Sequence, residues 1–226
     1  MAEFVDSHQY VNADSRQEIA HILVEREAVK FSTDPLFRFT SGVESPIYVD
    51  NRRLIGFVKD RERIVTALAN LASRVVFQAI AGTATAGIPW AAWLAHHVRV
   101  PLLYVRPKVK DWGGGKAVEG FASSGSTVLV VEDLITTSGS LCASTENLRA
   151  LGYTVNDCVT IVTYRSAKAE HRLRDVGVKA VALTDIDQTI EIARKSRLLP
   201  EDQFTAVVNW LHTTFRHDEA NPVATA

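Results

Sequence analysis

Apolar residues recur along this chain with two alternating periods. From Ser15 to Lys30, Ile19, Ile22, Leu23 and Arg26 fall at helical spacing, with Ser15 placed as an N-cap and Glu18 three residues on, a capping-box arrangement. Asp60 to Val75 repeats that period through Ile64, Leu68, Leu71 and Val75. Short apolar runs of strand length follow at Gln78–Ala81, Pro101–Val105, Thr127–Val131, Val155–Thr163 and Lys179–Leu183. They lack strict alternation, as strands buried on both faces do. Between them lie helical patterns at Ile88–His97, Gly139–Leu151 and Ala167–Asp175, and a last one from Glu201 to Phe215 carries Phe204, Val207, Val208 and Leu211 on one face.

Strands and helices in this order predict an α/β fold: a mostly parallel central sheet flanked by helices. Phe31 to Ile55 interrupts the alternation, with Pro35, Gly42 and Pro46 set among aromatic residues. It reads as a small N-terminal hood or flap over the sheet. The expected organisation is one domain over residues 1–217, with the hood at about 15–55 and the core at about 56–217. Residues 218–226, small and polar with a proline, form a loose tail.

Composition narrows the class. The 226 residues are 46% hydrophobic and 23% charged, as in ordinary soluble globular proteins. No stretch approaches the roughly 18 unbroken apolar residues of a membrane span. The N-terminus lacks a basic region ahead of an apolar run, so a cytoplasmic protein is expected. A net charge of -1 gives no basic excess for nucleic acid. Two cysteines, Cys142 and Cys158, cannot make a disulfide framework or a four-cysteine zinc site. His96 and His97 fall late in a helix with no partner at metal spacing. Trp90, Trp93 and Trp210 lie within helical patterns and are expected in the core or at an interface between copies.

The chemistry concentrates in Val128-Leu129-Val130-Val131-Glu132-Asp133-Leu134-Ile135-Thr136-Thr137-Ser138-Gly139-Ser140. A buried strand ends in two acidic residues, and a hydroxyl-rich turn opens a helix. Ligands of open α/β sheets bind outside the carboxyl ends of strands, where this turn must lie. Thr136 to Ser140 offer hydroxyls and successive N–H groups at a helix N-terminus, which suits a phosphate. Glu132 and Asp133 can accept hydrogen bonds from sugar hydroxyls; taken singly, each also reads as a helix cap. Phosphate and vicinal diol together describe a ribose 5-phosphate.

Two further segments join it. Ala81-Gly82-Thr83-Ala84-Thr85-Ala86-Gly87-Ile88-Pro89 is a strand, a small-residue turn and a helix start, able to bring backbone close to a pyrophosphate. Arg99 to Lys116 holds Arg99, Arg106, Lys108, Lys110 and Lys116 against Asp111, with three consecutive glycines at Gly113–Gly115. By itself this reads equally as a solvated loop. Beside a phosphate site, such a loop can close on a polyphosphate, neutralise a leaving pyrophosphate and exclude water.

The thirteen-residue string resembles the signature with which type I phosphoribosyltransferases bind 5-phosphoribosyl 1-pyrophosphate (PRPP). Together with Phe37-Arg38-Phe39-Thr40-Ser41-Gly42-Val43-Glu44-Ser45-Pro46-Ile47-Tyr48-Val49-Asp50-Asn51-Arg52, Ala81–Pro89 and the loop from Arg106 to Gly120, it is similar to the orotate phosphoribosyltransferases. The resemblance runs from about residue 15 to residue 215. It implies the type I phosphoribosyltransferase fold and a Mg2+-dependent transfer of ribose 5-phosphate from PRPP to orotate in pyrimidine synthesis. The Mg2+ would be carried by PRPP with no direct protein ligand. By position, Thr136, Thr137, Ser138, Gly139 and Ser140 would hold the 5'-phosphate, and Glu132 and Asp133 the ribose. Leu134 and Ile135 complete the PRPP string. Arg106, Lys108 and Lys110 would close on the pyrophosphate, acting in catalysis with Asp133, and Trp112 of the same loop would also contact PRPP. Thr136 and Arg165 would meet orotate. A homodimer follows, with the 106–116 loop serving the neighbouring subunit's site.

Two positions depart from the family pattern. Trp112 stands where the loop normally carries a histidine, and an indole can neither change charge nor pass a proton to pyrophosphate. Pro107 stands where some members have lysine. Alternatives are therefore a phosphoribosyltransferase for another base, or a PRPP-binding regulator weakened in catalysis. A fused second barrel domain needs about 200 or more further residues and is not expected in this length.

Overall fold

A computed structural model of the chain describes residues 10–38, 44–106 and 116–216. Helix α1 (Ala13–Glu25) is capped by Asn12, whose side chain accepts from Ser15 N at 2.7 Å. The cap therefore lies three residues earlier than the expected Ser15, which becomes the donor. The helix also stops five residues before Lys30. Glu27 turns into the left-handed region (φ 52), and Ala28 N donates to Leu23 O at 2.9 Å, a Schellman closure. The next apolar residues then serve a strand instead of a helix face.

That strand, β1 (Val29–Phe31), pairs antiparallel with β4 (Ile47–Val49), and the two-residue strands β2 (Phe37–Arg38) and β3 (Glu44–Ser45) form a second small ribbon. A 3-10 turn at Asn51–Gly56 leads into α2 (Val58–Ala72). This hood is anchored by Val29, Ile47 and Leu54, all buried in the main core. Helix α1 packs against the last strand and the helix that follows it.

The remaining elements are β5 (Ala79–Thr83), α3 (Gly87–Val98), β6 (Leu102–Val105), β7 (Val118–Gly120), β8 (Val128–Ile135) and α4 (Gly139–Ala150), then β9 (Asp157–Thr163), α5 (Ala167–Val176), β10 (Lys179–Asp185), α6 (Ile186–Lys195) and α7 (Glu201–Leu211). A π-helical turn at His212–Arg216 closes the described chain, so the last helix ends before Phe215. The sheet has the order β10-β9-β8-β5-β6-β7, parallel except for β7 at its edge. Helix α6 was not expected. It begins directly at the end of β10, with Asp185 as both the last strand residue and the N-cap accepting from Gln188 N at 2.9 Å.

Residues one apart on the central strands enter different cores. Ile80, Leu129, Val131 and Ile161 join α1, α2, α3, α6 and α7, whereas Ala79, Ala81, Val128 and Val130 meet Leu148 of α4 and Leu173 of α5. Burial on both faces explains why these strands read as continuous apolar runs. From β5 the chain moves through α3 to β6, and from β8 through α4 to β9, in opposite directions along the sheet. The border between β5 and β8 is thus a topological switch point, where a crevice opens beyond the strand ends.

Candidate active site

The crevice is present. A cavity of about 300 Å³ lies between the Ala84–Ala86 turn after β5 and residues 132–141 at the end of β8 and the start of α4. Close helix–strand approach makes it possible. A Cβ on Gly87 would lie 2.6 Å from the Val131 carbonyl oxygen, and one on Gly82 would lie 2.8 Å from Ala91 Cβ. The small residues singled out in the sequence therefore bring α3 down onto the sheet beside the acidic pair.

Glu132 and Asp133, expected to end the strand, lie within it: Leu134 and Ile135 still pair with Val162 and Thr163 of β9. Glu132 is buried, its Oε1 accepts from Asp133 N at 3.1 Å, and it sits near the first residue of α3. Burial, reinforced by the adjacent Asp133 carboxylate, holds the Glu132 carboxyl well above its ordinary range. Burial also raises Asp133, opposed by its hydrogen bond with Glu132 and by the charge of Arg52. The pair is a reserve of hydrogen-bonding capacity that holds protons longer than exposed carboxylates do.

This makes a test available. The folded protein keeps the Glu132 proton to higher pH than the unfolded chain, so ionising it costs stability as pH rises. Glu132→Gln is expected to raise Tm at pH 8 and to leave it nearly unchanged at pH 4. Thermal melts across that range check this, and a gap that does not widen with pH would show burial to be unimportant.

The turn after β8 and the start of α4 line the cavity through Thr136–Ser140. Ser138 adopts φ 60, a left-handed residue within a run of amides, the backbone habit of anion-binding concavities. The first amides of α4 have no partner inside the helix. Ser138 Oγ is buried with no hydrogen-bond partner among the described residues. The turn's carbonyls are held from outside: Ser166 Oγ donates to Thr136 O at 2.5 Å, and Arg172 Nη1 to Thr137 O at 2.9 Å. Leu134 and Ile135 contribute to the cavity wall, while their side chains pack into the two cores.

Arg165 lies two residues beyond β9 and is not among the residues that line the cavity. Its neighbours reach the β8 end through Tyr164 N to Ile135 O (2.9 Å) and Ser166 Oγ to Thr136 O. Its guanidinium lies 3.8 Å from Asp185, which also pairs with buried Arg16 at 2.9 Å. Arg106 directly follows β6 and does not line the cavity; it lies 3.8 Å from Glu119. Lys108, Lys110, Trp112 and Pro107 lie outside the described residues, as does the tail from 218.

Several contacts were not foreseen. Asn51 Nδ2 donates to the Asp133 carbonyl at 2.7 Å, tying hood to acidic pair. Trp210, expected in a core or interface, donates Nε1 to the Glu44 carbonyl of the hood at 3.0 Å. Ser166 shows a local signal, an N-cap ahead of a helix; Arg172 and Asn51 act over long sequence separations and show none.

A phosphoribosyl transferase domain model matches residues 57–195. The orotate phosphoribosyltransferase of Coxiella burnetii is 38% identical over 195 residues, covering 85% of this chain and 93% of that protein. The chain belongs to the orotate phosphoribosyltransferase family. It is therefore a phosphoribosyltransferase, a glycosyltransferase enzyme with the type I fold expected from its sequence. Among solved structures, the orotate phosphoribosyltransferase of Aeropyrum pernix is 34% identical with a TM-score of 0.68, covering 78% of this chain and 99% of that one. The UMP synthase of Leishmania donovani is 29% identical with a TM-score of 0.77, covering 87% of this chain and 42% of that longer one. The family match spans α2 through α6, and so includes every element that builds the cavity.

Proposed function

We propose that this protein transfers the ribose 5-phosphate group of PRPP to N1 of orotate, releasing pyrophosphate and forming orotidine 5'-monophosphate in pyrimidine synthesis. The observation that carries the reading is the cavity in which the acidic pair, Glu132 buried and Asp133 half-buried, adjoins the Thr136–Ser140 turn and helix start, in a chain whose relatives bear that name. Thr136–Ser140 hold the 5'-phosphate. Glu132 and Asp133 accept the ribose hydroxyls, and the Asp133 charge favours a sugar that becomes cationic at C1. Thr136 and Arg165 meet orotate, whose carboxylate a guanidinium can pair with in two parallel hydrogen bonds.

Magnesium enters on the diphosphate of PRPP and neutralises its charge there. Glu132 and Asp133 are the carboxylates facing the cavity, and no group of three metal-binding side chains occurs among the described residues. Such a site suits a cation that arrives with its polyphosphate. No helix among the described residues is long and apolar enough to cross a membrane, and the reaction is assigned to the cytoplasm.

Arg106, Lys108 and Lys110 close on the pyrophosphate of the partner subunit in a homodimer, in keeping with the place of Arg106 away from its own cavity. Lys110→Ala is expected to lower kcat about a hundredfold while weakening PRPP binding to the resting enzyme only a fewfold. Equal losses in both would place the lysine in ground-state binding. Mixing Lys110→Ala with Asp133→Ala chains is expected to restore about a quarter of wild-type activity, because mixed dimers rebuild one complete site. No recovery on mixing would mean that the loop serves its own chain.

The deciding experiment is the loss of orotate ultraviolet absorbance with PRPP and Mg2+ present or separately withheld. Loss that requires both supports the reading. No loss, with PRPP still bound in calorimetry, would point to another base or a regulator.

A further inference from the structure

The backbone of the turn that lines the cavity is held by α5 and its N-cap. Ser166, the N-cap of α5, donates to the Thr136 carbonyl at 2.5 Å, and Arg172 of the same helix donates Nη1 to the Thr137 carbonyl at 2.9 Å. Arg172 Nη1 also lies 3.4 Å from Thr137 Oγ1. Cys142 N donates to the Ser138 carbonyl at 2.9 Å. A carbonyl shares its peptide group with the next residue's N–H. The three outside donors therefore fix the amide planes of Thr137, Ser138 and Gly139, and each hydrogen bond to a carbonyl polarises the N–H at the other end.

Charge gives Arg172 a second role. The cavity walls, residues 84–86 and 132–141, carry two carboxylates and no lysine or arginine. A phosphate dianion there would face acidic neighbours with only neutral hydroxyls and amides in its support. Arg172 is a cation bonded directly to the turn, one peptide plane behind those amides. Glycine at position 139 gives it room, since a Cβ there would sit 3.2 Å from Arg172 Nη1. The outer side of Arg172 borders a cleft with Cys142, Glu146 and Asp175.

We propose that Arg172, with Ser166, is a positioning residue for phosphate recognition: it orients and polarises the amides of the 136–138 turn and supplies, through them, the positive charge that favours a dianionic phosphomonoester. This rests on the reading of the turn as the 5'-phosphate site.

Calorimetry with ribose 5-phosphate tests it at pH 7.5 and pH 5.5, on either side of the second phosphate pKa of about 6. Arg172→Gln is expected to weaken binding roughly tenfold or more at pH 7.5, and clearly less at pH 5.5 where the ligand is a monoanion. Arg172→Lys, which keeps the charge, should restore the preference for the dianion. Ser166→Ala should weaken binding at both pH values by a similar, smaller factor, and it stands in if Arg172→Gln does not fold. Equal affinity of Arg172→Gln and wild type, or an equal loss at both pH values, would overturn the proposed charge role. Unchanged affinity of Ser166→Ala would overturn the proposed grip. Wild-type protein that binds no ribose 5-phosphate would instead overturn the phosphate site itself.

Discussion

Asp133→Ala is expected to lower kcat/KM for PRPP by about two to three orders of magnitude, with the fold intact. A hydrogen bond to a charged group contributes about 1.5–3 kcal/mol, and this carboxylate is proposed to make such bonds to the ribose while favouring positive charge at C1. The backbone of Asp133 is fastened independently, through its carbonyl to Asn51 at 2.7 Å, so shortening the side chain leaves that link in place. Removing a carboxyl that burial holds above its ordinary range also relieves a cost at neutral pH, so Tm should hold or rise. Asp133→Asn, which keeps shape without charge, should fall between the two. Steady-state kinetics with thermal melts on the same samples check this. Lost activity accompanied by a lowered Tm would mean that the residue serves folding instead.

Gly87→Val is expected to act the other way, through structure first. A Cβ at this position would stand 2.6 Å from the Val131 carbonyl oxygen and 3.5 Å from Glu132 Cα. Backbone cannot yield as a side-chain tip can, so the start of α3 must lift away from β8. Overpacking of this kind costs about 2–3 kcal/mol, which for a chain of this size lowers Tm by roughly 4–10 °C. The cavity lies across the same contact, so PRPP binding should weaken as well. Gly56→Ala is the matched control, because a Cβ there meets no atom within 4 Å. Denaturant melts that show no difference between the two variants would remove close packing as the reason for glycine at 87.

The sheet and its helices were legible because their signals are local. Strands buried on both faces leave continuous apolar runs, and the string from Val128 to Ser140 carries strand, turn and helix start in order. Where two local signals competed, the reading slipped. Asn12 and Ser15 are both good N-caps, and three residues separate them, so one caps and the other donates. Helix α6 escaped notice because Asp185 ends a strand and caps a helix with no loop between, although Asp185 and Gln188 stand at capping-box spacing. The acidic pair was legible as chemistry, but its depth inside β8 was not, since strand length depends on pairing with β9. Arg172 and Asn51 depend on chain segments 35 and 82 residues away, and no local pattern announces such contacts.

The chain divides its labour by position. The cavity is built from the turn after β5, from β8 and from α4, and is held by α5, all after residue 78, whereas the hood comes from before residue 57 and reaches the acidic pair through Asn51. Change in one block therefore need not disturb the other. Descendants of such a chain can remodel the hood while inheriting the cavity whole, so that novelty in one block is explored against a fixed background in the other.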